Sequence, residues 1–415
     1  MSYRFSEPSS LPAGAPDDAG GVVVALDERR RTYADAADYI RQHAPAEPVY
    51  LFCADELRAR VDAFVNGFDG LVAYAIKANP HRLVLDAVAH AGVDAFDAAS
   101  LNEIVLARAG RGAVAVHYNN PVKSEAHIAA AYAEHGVRSF ALDDRMELDK
   151  LCAQVRERHD VELSVRFRLD GCSAWYDFGA KFGAPPADAA MLLRGAREAG
   201  FVTSLTFHPG SQCLDPASYA RHIEAAADIA RGARVELYRL NVGGGFPVAY
   251  RGCQVPALER FFEVIDDAVA RAFGANRPEL VCEPGRAMAA SSVSLLCRVT
   301  HRRADGSLFL NDGIYGGLME QLLVPLHPPV RAWRDDLPLV GPTRDCVVFG
   351  PTCDSADRLP HLVPLPADIR TGDWVEFGMA GAYGSATATG FNGFRSDRYA
   401  RVRCGFPSSA LSGGA

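Results

Sequence analysis

LVAYAIKANP, Leu71–Pro80, runs an apolar segment up to a single lysine, Lys77, and then breaks it with Asn79 and Pro80. A short apolar run bounded by turn formers reads as a buried strand, so Lys77 stands where strand gives way to loop. The same texture recurs outward from it. Val49–Cys53 precedes, and Asp94–Phe96, Val114–Tyr118, Ser139–Leu142, Leu163–Phe167, Leu205–His208 and Tyr238–Val242 follow; with Leu71–Ile76 they make eight strand candidates. Between them, His81–Ala91, Ser124–His135, Arg145–Arg158, Ala187–Ala199 and Pro216–Arg231 have helical composition and apolar spacing. Eight βα units in series predict an α/β fold with a closed, TIM-like (β/α)8 barrel whose C-terminal mouth carries the chemistry.

Beyond about Asn276 the pattern changes to short strands separated by Gly, Pro and Asp, among them Ser291–Thr300, Ser307–Leu310, Asp345–Phe349 and Asp373–Phe377. The expected organisation is a flexible N-terminus (1–20), a segment packing with the β-domain (21–44), the barrel (45–275), and a C-terminal β-rich domain of barrel or sandwich form (276–415). Within 21–44, Gly21–Leu26 reads as a strand and Thr32–His43 as a short helix. A chain of 415 residues suits two or three domains. Hydrophobic residues at 49% and charged residues at 23% place it among globular proteins, and a net charge of −8 leaves no nucleic-acid footprint. The first 21 residues have neither the basic start nor the apolar run of a signal peptide or membrane anchor. The ten cysteines are scattered without metal-ligand spacing, so no metal site is expected, and a reducing cytoplasm is the expected setting.

Several strings fall at predicted strand ends. Lys77 is either a solvated end-of-strand lysine or a desolvated one whose lowered pKa leaves a free amine for a Schiff base. NVGGGFP, Asn241–Pro247, puts three glycines after a strand, where bare amides can approach an anion, although such a run is also a common tight turn. CEPGR, Cys282–Arg286, supplies Glu283 and Arg286 around a Pro-Gly turn, a guanidinium suited to phosphate and a carboxylate suited to a pyridinium nitrogen. HPGSQC, His208–Cys213, offers an imidazole and the Ser211 hydroxyl. FDAAS, Phe96–Ser100, brings Asp97, while Ser100 and Glu103 fit a capping box.

Together YAIKAN, FDAAS, HPGSQC, GGGFP, EPGR, NDGIYG, GPTCDSADRL and GAYGSATATGFNGF resemble, in order and spacing over about Val49–Phe394, the alanine-racemase-like (fold type III) pyridoxal-phosphate decarboxylases, which include ornithine, arginine and diaminopimelate enzymes. The resemblance implies pyridoxal 5′-phosphate as cofactor, with Lys77 as its Schiff-base lysine, His208 stacked on its ring and Glu283 at its pyridine nitrogen, where simple racemases of this fold carry arginine. It implies Ser211, Gly244, Gly245, Arg286 and Tyr383 as the phosphate site, with Asp97 and Arg166 positioning the cofactor. Cys353 would return a proton to the substrate Cα. A head-to-tail homodimer is implied, in which GPTCDS reaches the partner's cofactor.

The GPTCDS form resembles the branch acting on basic amino acids, with Asp354 meeting the distal ammonium and Tyr315 and Phe391 beside the substrate. The expected reaction is decarboxylation of L-ornithine or L-lysine to the diamine, a polyamine-forming step. One departure stands out: where ornithine enzymes place a second aspartate after NDGIYG, this chain has LLVPLHPP, near Val324. Glu320 either substitutes for it or is solvated. A decarboxylase of a larger intermediate, such as carboxynorspermidine, a siderophore precursor or diaminopimelate, stays open, as do a racemase and a noncatalytic regulator, both disfavoured by the residues above.

Overall fold

The computed structural model describes residues 31–111, 114–170, 174–176 and 179–407. The tail 1–20, the strand expected at Gly21–Leu26 and Cys172 lie outside them.

Eight parallel strands close into a barrel: Leu71–Ala75, Ala95–Ala98, Ala115–Tyr118, Ser139–Leu142, Glu162–Arg166, Val202–Thr206, Arg239–Asn241 and Glu279–Cys282. Closure pairs Val281 with Leu71 and Cys282 with Val72. Helices follow the strands, and Ser100 caps one of them as expected, accepting from the Glu103 amide at 3.2 Å while the Glu103 carboxylate accepts from the Ala99 amide at 2.6 Å. At the N-terminal end of the barrel, Glu162 accepts from Ser204 Oγ at 2.6 Å and from Arg239 Nη1 at 3.2 Å, so the polar groups that plug the floor are paired.

The other domain is a nine-stranded sheet. Its main path runs Thr32–Tyr33, Tyr399–Val402, Val49–Cys53, Val293–Arg302, Trp374–Phe377, Val330–Arg334 and Leu337–Pro338, with Leu308–Leu310 and Val348–Phe349 branching from it. N-terminal and C-terminal segments therefore share one sheet, as the expected packing of the N-terminal segment requires. Among the described residues no helix is long and apolar enough to cross a membrane.

Element assignment departs from expectation at two places. Thr32 and Tyr33, expected to open a helix, form a strand beside Arg401 and Val402, and the helix runs Ala36–His43. Val49–Cys53 pairs with Val293–Leu296 and Tyr399–Val402 in the β-domain, and the eighth barrel strand is Glu279–Cys282, past the boundary expected at 275. The cause is burial on both faces. Tyr50 and Phe52 join the large core, whereas Val49, Leu51 and Cys53 pack with Tyr39, Ile40 and Trp374 on the opposite face. A strand covered on both sides loses the polar alternation that would distinguish it from a barrel strand.

The sheet carries a buried charge whose partners come from the two flanking strands. Glu376, 1% exposed, accepts from Ser294 Oγ at 2.6 Å and Trp333 Nε1 at 3.1 Å and pairs with Arg331. Glu376→Ala strands these donors, so we expect the free energy of unfolding in urea, followed by tryptophan fluorescence, to fall by about 3 kcal/mol. A loss under about 1 kcal/mol would show that water replaces the carboxylate and that the network is not structural.

Candidate active site

A cavity of about 400 Å³ opens at the C-terminal mouth of the barrel, where Tyr383 and Thr387 of the β-domain face Lys77, Asp97, Arg166, His208 and Glu283. Lys77 lies in a single 3₁₀ turn, Ile76–Ala78, that follows the first barrel strand directly. Its Nζ is 3.4 Å from Oδ2 of Asp97, on the neighbouring strand. The lysine side chain is 41% accessible through the cavity, whereas the Asp97 side chain is 5% accessible. Burial alone would lower the Lys77 pKa, but Asp97, then Tyr383 and Glu283, outweigh it and hold the ammonium above the ordinary lysine range. The lowered pKa expected from the sequence is thus reversed, because the desolvated lysine has a carboxylate partner.

Glu283 follows the eighth strand. Burial, reinforced by Asp97, pushes its carboxyl up to about 7, against the opposing pull of Lys77, Asn241 and Arg166. Both Asn119 Nδ2 and Asn241 Nδ2 donate to the same oxygen, Oε1. The sequence reading missed both amides as site residues. Asn119 directly follows the third strand and Asn241 ends the seventh, so strand-end position was the available signal. Lys123 Nζ donates to the Asn120 carbonyl at 2.9 Å and to the Ala141 carbonyl at 2.6 Å, fixing the turn that carries Asn119. Arg166, at the end of the fifth strand, lies 5.3 Å from the Phe182 ring centre.

His208 accepts the Gly210 amide on Nδ1 at 3.0 Å, so its proton resides on Nε2 when the ring is neutral. Burial, then Lys77 and Arg166, holds its pKa well below the ordinary histidine value. The glycine run packs against it. A Cβ on Gly244 would lie 2.5 Å from the Glu283 carbonyl and 3.3 Å from His208 Nε2, and Gly245, at φ +95°, would drive one into the Gly210 carbonyl. The glycines are required by close backbone approach, which leaves an open cradle beside Ser211 and Arg286.

Arg286 anchors that cradle. Its Nε donates to Ser211 Oγ at 3.3 Å, Nη1 to the Tyr250 hydroxyl at 3.0 Å, and Nη2 to Glu320. Tyr383, held at φ +58° with its amide 2.7 Å from the Ala78 carbonyl, places its ring 5.0 Å from the guanidinium. Glu320 is buried and ion-paired, which rules out the solvated alternative. Tyr250 is a third residue the sequence reading missed.

The remaining expected residues gather elsewhere. Tyr315 donates from its hydroxyl to Asp354 Oδ2 at 2.5 Å and lies 4.8 Å from the Phe391 ring, while the Cys353 amide donates to Asn392 Oδ1 at 3.1 Å. Cys353 is exposed and Phe391 is 41% exposed. Neither Cys353 nor Asp354 is among the described residues lining the Lys77 cavity. One chain thus carries two separate constellations.

The donor set fits pyridoxal phosphate: a lysine amine, a glycine cradle with a guanidinium and a hydroxyl, and a carboxyl that titrates near neutrality. Asp97 should govern the lysine. In Asp97→Asn burial is no longer outweighed, so the Lys77 pKa should fall by at least about one unit, and at pH 8 its modification by trinitrobenzenesulfonate should accelerate about tenfold. An unchanged rate would mean that Asp97 does not set the lysine's protonation.

The family described as pyridoxal-dependent decarboxylase, pyridoxal binding domain, matches residues 54–290. The decarboxylase flvG of Aspergillus flavus is 32% identical over 78% of each chain. The lysine/ornithine decarboxylase of Selenomonas ruminantium is 34% identical over 78% of this chain and 81% of that one. A crystal structure of a lysine/ornithine decarboxylase from Vibrio vulnificus, complexed with cadaverine, superposes with a TM-score of 0.76 at 28% identity, covering 94% of this chain and all of that one. With its barrel-mouth lysine, glycine cradle and buried glutamate, this chain belongs to the pyridoxal-dependent decarboxylases and is an enzyme of that family.

Proposed function

We propose that the enzyme decarboxylates a basic amino acid, L-ornithine or L-lysine, to the corresponding diamine. The observation that carries this reading is the Lys77–Asp97–Glu283 cluster beside the Arg286 cradle, in a relative of lysine/ornithine decarboxylases. On this reading Lys77 Nζ would be the group that holds the cofactor covalently. Ser211 Oγ, the amides of Gly244 and Gly245, Arg286 and Tyr383 would hold its phosphate, with Asp97, Arg166 and His208 placing the ring. The bound cofactor supplies an electron sink for the pair released when the α-carboxylate departs as carbon dioxide.

The protein's own groups supply the rest. Glu283 has Oε1 occupied by Asn119 and Asn241, which leaves Oε2 to share a proton with the ring nitrogen. Its raised titration suits that sharing near neutral pH. His208, neutral because buried, adds no positive charge beside Lys77. Cys353 Sγ would return the proton to Cα and Asp354 would meet the distal ammonium. Backbone and Tyr315 hydrogen bonds hold the Asp354 carboxyl below its ordinary range, so it is charged throughout the neutral region.

Because Cys353 and Asp354 stand outside their own chain's cavity, the reading includes a homodimer in which each supplies the other's site. Exposed Leu322, Leu323, Phe391 and Phe394 give the surface an apolar component suited to such a contact. The nine described cysteines are all free, which suits a reducing, cytoplasmic setting. Leu323 and Val324 in the cavity wall favour a second reading, decarboxylation of a longer intermediate.

Carbon dioxide release from ornithine, lysine, arginine, meso-diaminopimelate and carboxynorspermidine tests the substrate class, and we expect ornithine or lysine to lead. A dominant rate on carboxynorspermidine would transfer the assignment to the longer substrate. Lys77→Ala should lack the absorbance of lysine-bound cofactor, and retention of that band would remove Lys77 from its role. Lys77→Ala and Cys353→Ala proteins, each impaired alone in forming the diamine, should regain about a quarter of wild-type diamine-forming sites when mixed, since half the dimers then hold one intact site of two. No recovery, with exchange of subunits verified, would refute shared sites.

A further inference from the structure

Glu320 has no place in the assignment of cofactor-binding residues, yet it makes the shortest-reaching commitment in the cradle: its Oε1 takes the Nη2 arm of Arg286, 34 residues away in sequence. Both side chains are almost fully buried, at 6% and 10% accessible. The other arms of Arg286 go to Ser211 Oγ and the Tyr250 hydroxyl, both uncharged, so Glu320 is its only hydrogen-bonded anion among the described residues. A phosphate arriving beside Ser211 and Arg286 therefore enters a place whose positive charge is already compensated. A dianion and a carboxylate cannot share one desolvated guanidinium without repulsion of several kcal/mol, so one of them must leave or take up a proton. Glu320 has room to leave, because it also lines the main cavity beside Leu323 and Val324.

We propose that Glu320 is a placeholder for the cofactor's phosphate: it neutralises Arg286 in the cofactor-free protein and is displaced when a phosphate ester binds. Glu320 thereby competes with a phosphate for Arg286. The inference rests on the reading that Ser211 and Arg286 receive the phosphate. Charged and titratable groups facing Glu320 are Arg286, Tyr250 and Tyr383. Burial raises the Glu320 carboxyl while Arg286 opposes the rise.

The probe is pyridoxine 5′-phosphate, which has an alcohol where the cofactor has an aldehyde and so binds without reacting with Lys77; unphosphorylated pyridoxine is the control. Calorimetry on the full-length protein should show Glu320→Gln binding the ester at least about tenfold more tightly than wild type, with pyridoxine unchanged. Equal or weaker ester binding by Glu320→Gln overturns the proposal. Glu320→Met, which keeps the volume, serves if the glutamine variant does not fold. Inorganic sulfate, whose charge does not change through the neutral and mildly acidic range, gives an independent measure. Wild-type affinity for sulfate should rise as pH falls more steeply than that of the Glu320 variant. Glu283 contributes the same slope to both proteins and cancels, so identical slopes would also overturn the proposal. Ser211→Ala separates the two failures: if it leaves ester affinity unchanged, the phosphate site itself is misplaced, whereas a weakened ester with no gain from Glu320→Gln removes only the placeholder.

Discussion

An ammonium held against a buried carboxylate at the mouth of the barrel, Lys77 with Asp97, is the interaction on which the rest of the site depends. At an effective dielectric constant near 20, unit charges about 4 Å apart interact by roughly 4 kcal/mol, enough to reverse the cost of desolvating a lysine. The same balance recurs around the cavity. Arg286 is matched by Glu320, while burial, reinforced by the Asp97 charge, drives Glu283 toward neutrality. His208 stays uncharged because it is buried, and the Lys77 and Arg166 charges add to that effect. These groups form a set of mutual dependencies, in which the protonation of each follows from where the next is placed.

That placement comes from the junction of the two domains. The Pro284 carbonyl accepts the Ala75 amide at 3.1 Å, tying the end of the eighth strand to the end of the first. Asn79 Nδ2 reaches the Gly381 carbonyl at 2.9 Å and the Tyr383 amide reaches Ala78 at 2.7 Å, so β-domain backbone grips the turn carrying Lys77 from the other side. Asp357 performs the same service for the second constellation. Its carboxylate accepts the Ile314 amide at 3.1 Å and the Thr352 amide at 3.0 Å, joining NDGIYG to the loop that bears Cys353 and Asp354. The left-handed Tyr383 costs on the order of 1 kcal/mol and is tolerated because its amide and ring are both fixed.

Much of this was legible from residues in sequence. Glycine runs, a strand-end lysine and Glu-Pro-Gly-Arg are each ordinary alone, and they become informative because they occur together, in order and spacing. The misassigned strand shows the limit. VYLFC and ELVC are both short apolar runs, and only the partners of Val49–Cys53, drawn from residues 293–296 and 399–402, decide which sheet it joins. Asn119 and Asn241 escaped notice because an asparagine at a strand end is ordinary, and it becomes informative only when two of them converge on Glu283. The Lys77 pKa was misjudged because burial is local while its compensation comes from a different strand. Long-range electrostatics leaves no periodic trace in a chain.

Distal recognition follows from how the carboxylates of the cavity are committed. Asp97 is held by Lys77 and Glu283 by two amides, while the wall beside them is Leu323, Val324 and Phe182. A substrate ammonium delivered to that wall would lose its hydration without gaining a counter-charge, at a cost of several kcal/mol. The remaining carboxylate of matching character, Asp354, is charged and held by Tyr315 on a surface outside its own chain's cavity. On the proposed reading, a second copy brings its Asp354 to the open side of the cavity, where it meets the basic end that Leu323 and Val324 would leave unpaired.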